Sequence, residues 1–236
     1  LDPQNGFKLG WLCYAYYNNH QYQKAVDACK KALNLHYNKK VGWQAWDYNY
    51  IGLAYSALEQ VDSAISALKK SIELQPDDSG TFTNLAYIYH ENKQYDEAIT
   101  AAKRAIELKS DSAVAYSHLG HAYGMKKQYD DAIKAFKKSI EINPKDSTNY
   151  DLMGRFFMDK DAYNEAAEAY KKAVELQPAN INYIFTLANT YRLMGKYDDA
   201  IASVNKAIEL QTITGIGITI DVKSGYPVVK GVMNNG

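Results

Sequence analysis

The stretch Lys127-Gln-Tyr-Asp-Asp-Ala-Ile-Lys-Ala-Phe-Lys-Lys-Ser-Ile-Glu-Ile-Asn-Pro144 recurs along the chain. Close copies run from Lys93 to Leu108, from Asp161 to Pro178 and from Lys196 to Leu210, and looser ones from Gln21 to Leu35 and from Gln60 to Pro76. The alanines after each acidic pair, Ala64, Ala98, Ala132, Ala166 and Ala200, stand 34 residues apart every time. A fixed period of that size marks a stacked array, in which each unit buries its apolar face only against its neighbours.

Working outward gives six units: 6–44, 45–78, 79–112, 113–146, 147–180 and 181–214. Residues 1–5, Leu1-Asp-Pro-Gln-Asn5, match Leu74-Gln-Pro-Asp-Asp78 and Leu176-Gln-Pro-Ala-Asn180, so they read as the end of a preceding repeat. The first unit carries five extra residues between Leu35 and Trp43, predicting a longer loop or an extended helix end there.

Each unit holds two helical patterns. The first begins after Asn5, Asp78, Ser112, Asp146 or Asn180, whose side chains can accept from free backbone N–H groups; Gln44, beside the insertion, is the exception. Apolar residues follow at helical spacing, as in Phe82, Leu85, Ala86 and Tyr89. The second opens with acids that favour the helix dipole (Asp96 and Glu97, Asp130 and Asp131, Asp198 and Asp199) and stops at Pro76, Pro144 or Pro178. Gly52, Ala86, Gly120, Gly154 and Ala188 face the periodic alanines, so two backbones can approach closely at each crossing. Tyr55, Tyr89, Tyr123, Phe157 and Tyr191 fill the space between units. On the outer helices Lys69/Glu73, Lys103/Glu107, Lys137/Glu141 and Lys171/Glu175 are i,i+4 pairs on a solvated face, each worth a few tenths of a kcal/mol.

Composition excludes several classes. With 27 basic and 27 acidic residues among 236, the chain lacks the basic excess of a general nucleic-acid binder, and no apolar run is long enough for membrane insertion. The protein reads as soluble, with its compartment open between the cytoplasm and a bacterial cell envelope. Cys13 and Cys29 lack metal-ligand spacing. They fall at neighbouring core sites and read best as two small buried thiols, a bridge between them being geometrically conceivable. No nucleophile elbow, phosphate loop or zincin helix is present, so no catalytic residue, metal or cofactor is assigned. After Leu210 the pattern changes: Ile213 to Val222 alternates, Lys223-Ser-Gly225 is a turn, and Tyr226 to Val232 is a second strand candidate.

From Tyr48, Ile51, Gly52, Tyr55 and Ala64 through Ile184, Leu187, Ala188, Tyr191, Tyr197 and Ala200, the pattern resembles the tetratricopeptide repeat family over about nine-tenths of the chain. Val61 in place of the interhelical Tyr, and Ser110 and Thr212 in place of the Pro, are its departures. The resemblance implies an all-α, right-handed α–α superhelix (solenoid) of six helix-turn-helix repeats with a short C-terminal β-hairpin segment. Residues 215–236 are similar to the start of a PDZ domain through Gly215-Ile216-Gly217-Ile218, the alternative being an unrelated hairpin or capping element.

The same resemblance implies a concave groove on the inner faces of the first helices. Its register falls on Trp11 and Tyr14, on Trp46, Asn49 and Tyr50, and on Asn84, Tyr87, His118, His121, Arg155, Asn189 and Arg192. A carboxylate clamp is missing, because Tyr14, Tyr50 and Asn84 stand among its sites. The expected function is a non-catalytic protein–protein interaction scaffold that holds a peptide or partner protein. The alternatives are a substrate-recruiting arm of a larger PDZ-containing peptidase and a component that self-associates through its array ends. His90, His118 and His121 read as groove lining rather than a metal site, with protonation as a means of tuning an acidic ligand.

Overall fold

The computed structural model describes the backbone of residues 3–35, 41–214, 217–223 and 226–233, and the side chains of residues 6–35 and 41–210. Twelve helices lie among the described residues, and they form helix-turn-helix repeats. The chain divides into two units, Leu1–Gln128 and Tyr129–Gly236. The first holds α1 (Pro3–Asn18), α2 (Tyr22–Asn34), α3 (Val41–Ala57), α4 (Val61–Leu74), α5 (Ser79–Glu91), α6 (Tyr95–Leu108) and α7 (Ala113–Met125). The second holds α8 (Tyr129–Ile142), α9 (Ser147–Asp159), α10 (Tyr163–Leu176), α11 (Ile181–Leu193) and α12 (Tyr197–Thr214), followed by β1 (Gly217–Lys223) and β2 (Tyr226–Met233). Within each unit every helix packs on the next, and in the first unit α1, α3, α5 and α7 also pack in series.

The helix starts follow the expected chemistry. Asp78 accepts from the N–H groups of Gly80 and Thr81, Ser112 from Ala115, Asp146 from Thr148 and Asn180 from Asn182. The turns inside the repeats share one device. His20, Glu59, Lys93, Lys127, Asp161 and Gly195 all adopt positive φ. At each of them two hydrogen bonds close the preceding helix, as where Lys93 N–H donates to His90 O and Gln94 N–H donates to Tyr89 O. This is the Schellman closure, which satisfies carbonyls that a helix end leaves free.

The periodic small residues sit where backbones meet. Ala64, Ala98, Ala132 and Ala166 are fully buried. A Cβ on Gly52 would lie 2.7 Å from Leu68 Cγ, and one on Gly154 would lie 2.7 Å from Tyr170 Cε1. Around these crossings Leu68 and Ile88 fill the first unit, and Phe136, Tyr170 and Ile184 the second. Polar links join the repeats at related positions: Ser71 Oγ lies 3.3 Å from Thr81 Oγ1 in the first unit, and Asn149 Nδ2 donates to Ser139 Oγ at 2.9 Å in the second.

The structure corrects three expectations. Cys13 and Cys29 form a disulfide, with 5.3 Å between their Cα atoms, where two free thiols were the better reading. The residue types at those sites suit either state, and only the juxtaposition of α1 and α2 decides. Secondly, the outer acids pair at i,i+3 and not at i,i+4: Glu73 with Lys70, Glu107 with Arg104, Glu141 with Lys138 and Glu175 with Lys172. Lys103 and Lys171 instead lie over the rings of Tyr123 and Tyr191, at 5.7 and 5.9 Å from the centroids, and Lys171 also meets Glu168. Thirdly, α1 begins at Pro3, so helix already takes in Asn5, the residue after which the sequence pattern starts the first helix.

The insertion is resolved on its C-terminal side. Residues 36–40 lie outside the described residues, and α3 starts at Val41, a full turn ahead of the position matching Ser79 in α5. In the C-terminal segment β1 pairs with β2 antiparallel, Ile218 opposite Val232 and Val222 opposite Pro227, with a register shift between Thr219 and Ile220. Gly215 and Ile216, half of the loop compared above with a PDZ domain, lie outside the described residues. The close approach at Gly154 yields a test: Gly154→Ala forces the Tyr170 ring to move, and the expected outcome is a loss of about 1–3 kcal/mol, read from the urea unfolding of the variant.

Candidate functional site

In the first unit the inner helices α1 and α3 bring together an unusual density of rings. Trp11 lies 6.1 Å from Trp46 and 5.9 Å from Tyr14, and Tyr14 lies 5.4 Å from Tyr50. Trp46 and Tyr50, one turn apart on α3, are 4.5 Å apart. Most of these pairs are tilted or edge-to-face, the arrangement that ring quadrupoles favour. The cluster is wider than the repeat register indicates. Phe7 packs 5.1 Å from Trp43, Trp43 lies 6.3 Å from Trp46, and Tyr17 lies 5.5 Å from Tyr50. Trp43 belongs to the turn by which α3 is extended, so the insertion enlarges the cluster. Trp11 is 48% exposed and Phe7 44%, so part of this apolar surface faces water.

Beyond the rings the lining becomes amide and imidazole. Asn84 Nδ2 on α5 donates to Asn49 Oδ1 on α3 at 2.9 Å, tying the two inner helices together. Tyr87, 41% exposed, lies 5.6 Å from the ring of His118 on α7. His90 and His121 stack with centroids 4.3 Å apart and planes 15° from parallel. His90 Nδ1 lies 3.2 Å from Glu91 Oε1, and its Nε2 is buried without a hydrogen-bond partner. Among the described residues no group of three or more His, Cys, Asp or Glu could hold a metal ion.

In the second unit the residues of the same register are more polar. Arg192 Nε and Nη2 both donate to Asn189 Oδ1, at 3.1 and 2.8 Å, one turn apart on α11. Arg155 on α9 is exposed. Its charge opposes the rise that burial causes in the carboxyl of Asp151. The twelve register residues thus comprise an aromatic group on α1 and α3, an amide and imidazole group from α3 to α7, an Asn189–Arg192 pair on α11, and Arg155 on α9, which is not brought to that pair.

Sequence reasoning missed Phe7, Trp43, Tyr17 and Asp47. Phe7 stands one turn before Trp11, and Trp43 stands in the insertion, so both left a signal outside the repeat register. Asp47 left none. It is fully buried beside Trp46, its Oδ1 lies 3.5 Å from Cys29 Sγ, and its Oδ2 has no partner. A disulfide sulfur carries no proton, so a hydrogen bond there must be donated by the carboxyl O–H. Burial pushes the Asp47 carboxyl up from 3.8 to about 7. Burial, and then the neighbouring His90, push His118 the other way, from 6.5 down to about 4.

Family models described as tetratricopeptide repeat match residues 8–77, 67–100, 113–146, 147–180 and 169–202, and a TPR repeat model matches 86–127. Human Superkiller complex protein 3 is 38% identical over 73 residues, which are 31% of this chain and only 4% of that protein. The crystal structure of MamA is similar at 27% identity and a TM-score of 0.66, covering 70% of this chain and 96% of MamA. YrrB, described as a TPR protein with an unusual peptide-binding site, is similar in fold at 18% identity and a TM-score of 0.63, covering 79% of this chain and 94% of its own. These likenesses are to helical repeat arrays and lend the strand pair no support.

The buried acid Asp47 and the half-buried base His118 make opposite demands on stability. The folded state holds Asp47 protonated up to about pH 7, so its contribution is complete below pH 3.8 and is lost as pH rises through 7. The folded state holds His118 neutral, so its contribution is complete above pH 6.5 and is lost as pH falls through 4. Shifts of these sizes correspond to about 4 and about 3 kcal/mol, so they nearly cancel. Asp47→Asn is therefore expected to expose the histidine term, with stability rising by about 3 kcal/mol between pH 4 and 6.5. His118→Gln is expected to show the reverse slope. Urea midpoints measured across that range check both signs.

Proposed function

Because the chain belongs to the tetratricopeptide repeat family, we propose that it is a binding scaffold without catalysis of its own in this segment, holding an extended peptide or protein segment along its inner helices. The observation that carries this reading is the partly exposed ring cluster of Trp11, Tyr14, Trp46 and Tyr50. The small residues at the helix crossings already close the array; Tyr50 also packs against the buried core, and Trp11 remains half exposed beside it. Leaving Trp11 half in water costs free energy unless a partner covers it.

Asn49, Asn84, Tyr87, His118 and His121 extend the same face with amide, hydroxyl and imidazole groups that can bond to a peptide backbone. Asn189, Arg192 and Arg155 offer the second unit's donors, and arginine is a common interface anchor. The description of YrrB as a peptide binder on a similar fold supports the reading. The register residues of the first unit, from Trp11 to His121, include no Lys, Arg, Asp or Glu, so stacking and backbone hydrogen bonds supply most of the affinity. Among the described residues no helix is long and apolar enough to cross a membrane.

Capture of partners on the immobilised chain, followed by mass spectrometry, tests this. With Trp46→Ala and Tyr50→Ala combined, capture is expected to fall at least about tenfold, the loss of one or two buried aromatic anchors, while helical circular dichroism persists. Capture should also survive a rise in salt from about 50 to about 500 mM, since screening weakens charge pairs and leaves stacking intact. Loss of capture at high salt would overturn the aromatic reading.

A further inference from the structure

The disulfide, the buried acid and the aromatic cluster are neighbours. Cys13 lies between Trp11 and Tyr14 on α1, Asp47 follows Trp46 on α3, and Cys29 on α2 touches both through the disulfide and the 3.5 Å approach of Asp47 Oδ1. Both cysteines and Asp47 are 0% exposed. A disulfide that served only as a staple would be best sealed among apolar groups. This one shares an apolar core with Ala25, Val26 and Ile51, and a carboxyl with a partnerless oxygen is sealed in beside it.

We propose that Cys13–Cys29 is the catch, and Asp47 the spring, of a redox-sensitive latch that holds the aromatic cluster closed. The spring is the cost of keeping an acid dry: when α1 moves off α2 and α3, Asp47 regains water. The catch opposes that motion. Cross-linking across a separation of 16 residues shifts the opening equilibrium by about a hundredfold. Reduction proceeds by exchange with a dithiol during local openings that uncover the otherwise sealed disulfide. Its thiolate attacks Cys13 Sγ, the sulfur–sulfur bond breaks, and the electron pair leaves on Cys29 Sγ, which takes the Asp47 proton. The second thiol of the reductant then displaces Cys13, forming the reductant's own disulfide. The two protons the dithiol loses match those gained by Cys13 and, through Asp47, by Cys29. In the reduced and opened state Trp11 and Tyr14 part from Trp46 and Tyr50. That this gates partner binding rests on the function proposed above; the latch itself does not.

All three tryptophans of the chain, Trp11, Trp43 and Trp46, lie in this cluster, so intrinsic tryptophan emission reads the latch alone. The chain is incubated with dithiothreitol until titration finds two thiols per molecule. The expected result is a red shift of the emission with most helical dichroism retained. Asp47→Leu, which keeps the bulk and removes the acid, is expected to keep its blue emission after the same reduction. Unchanged emission in the reduced wild type overturns the latch, as does collapse of the whole helical signal. A red shift in reduced Asp47→Leu equal to the wild type's overturns the role of the acid. Partner capture is then compared in both redox states, with about a tenfold or larger fall on reduction expected. Emission that shifts while capture persists leaves the latch standing and overturns its control of binding.

Discussion

At each helix crossing the two backbones come so close that a methyl group is the largest side chain the contact accepts, and at Gly52 and Gly154 even that is too much. Everything else in the repeats follows from this contact. It sets the distance between the helices of a pair, and so the room into which Tyr170 or Leu68 fits. Ala64, Ala98, Ala132 and Ala166 are fully buried because they form the other half of it. The turns must then return the chain within three residues, which forces a left-handed residue at His20, Glu59, Lys93, Lys127 and Asp161 although none of these is glycine. The packing gained at the crossings outweighs a backbone cost of about 1–3 kcal/mol at each.

The helices, their caps and the small-residue contacts were legible because they repeat: any one copy is ambiguous, and the copies agree on what is structural. Features that occur once had no such check. The spacing of Cys13 and Cys29 is equally good for two thiols and for a bridge. Asp47 sits at a position where neighbouring repeats carry Thr81 and Ala115, and an acid in a one-letter string gives no sign that it is dry. The partner choice of the outer glutamates was lost for another reason. Two successive basic residues precede each of them and the i,i+3 residue takes the carboxylate, while at two of the four the first basic residue, Lys103 or Lys171, turns to the ring of Tyr123 or Tyr191. The ring cluster was half legible. Its four register residues could be named, while Phe7 and Trp43 joined through a helix extension that periodicity does not encode.

Desolvated ionisable groups are expensive, and the first unit keeps two of them, the buried Asp47 and the half-buried His118, beside the register residues. Asp47 lies under the aromatic group and His118 lies against Tyr87. Neither is paired with an opposite charge, and burial is the leading cause of both shifts. An array optimised only for stability would carry apolar side chains at both positions, as packing density alone favours.

The extension of α3 has a geometric consequence. Four residues added at a helix start project about 6 Å beyond the repeat outline and carry Trp43 with them. The inner face of the first unit is therefore unlike at its two edges, with indoles on α1 and α3 and imidazoles on α5 and α7. An array of identical repeats presents the same side chains at every step along its axis. This one has lost that translational sameness, so each position along the inner face of the first unit differs from the next.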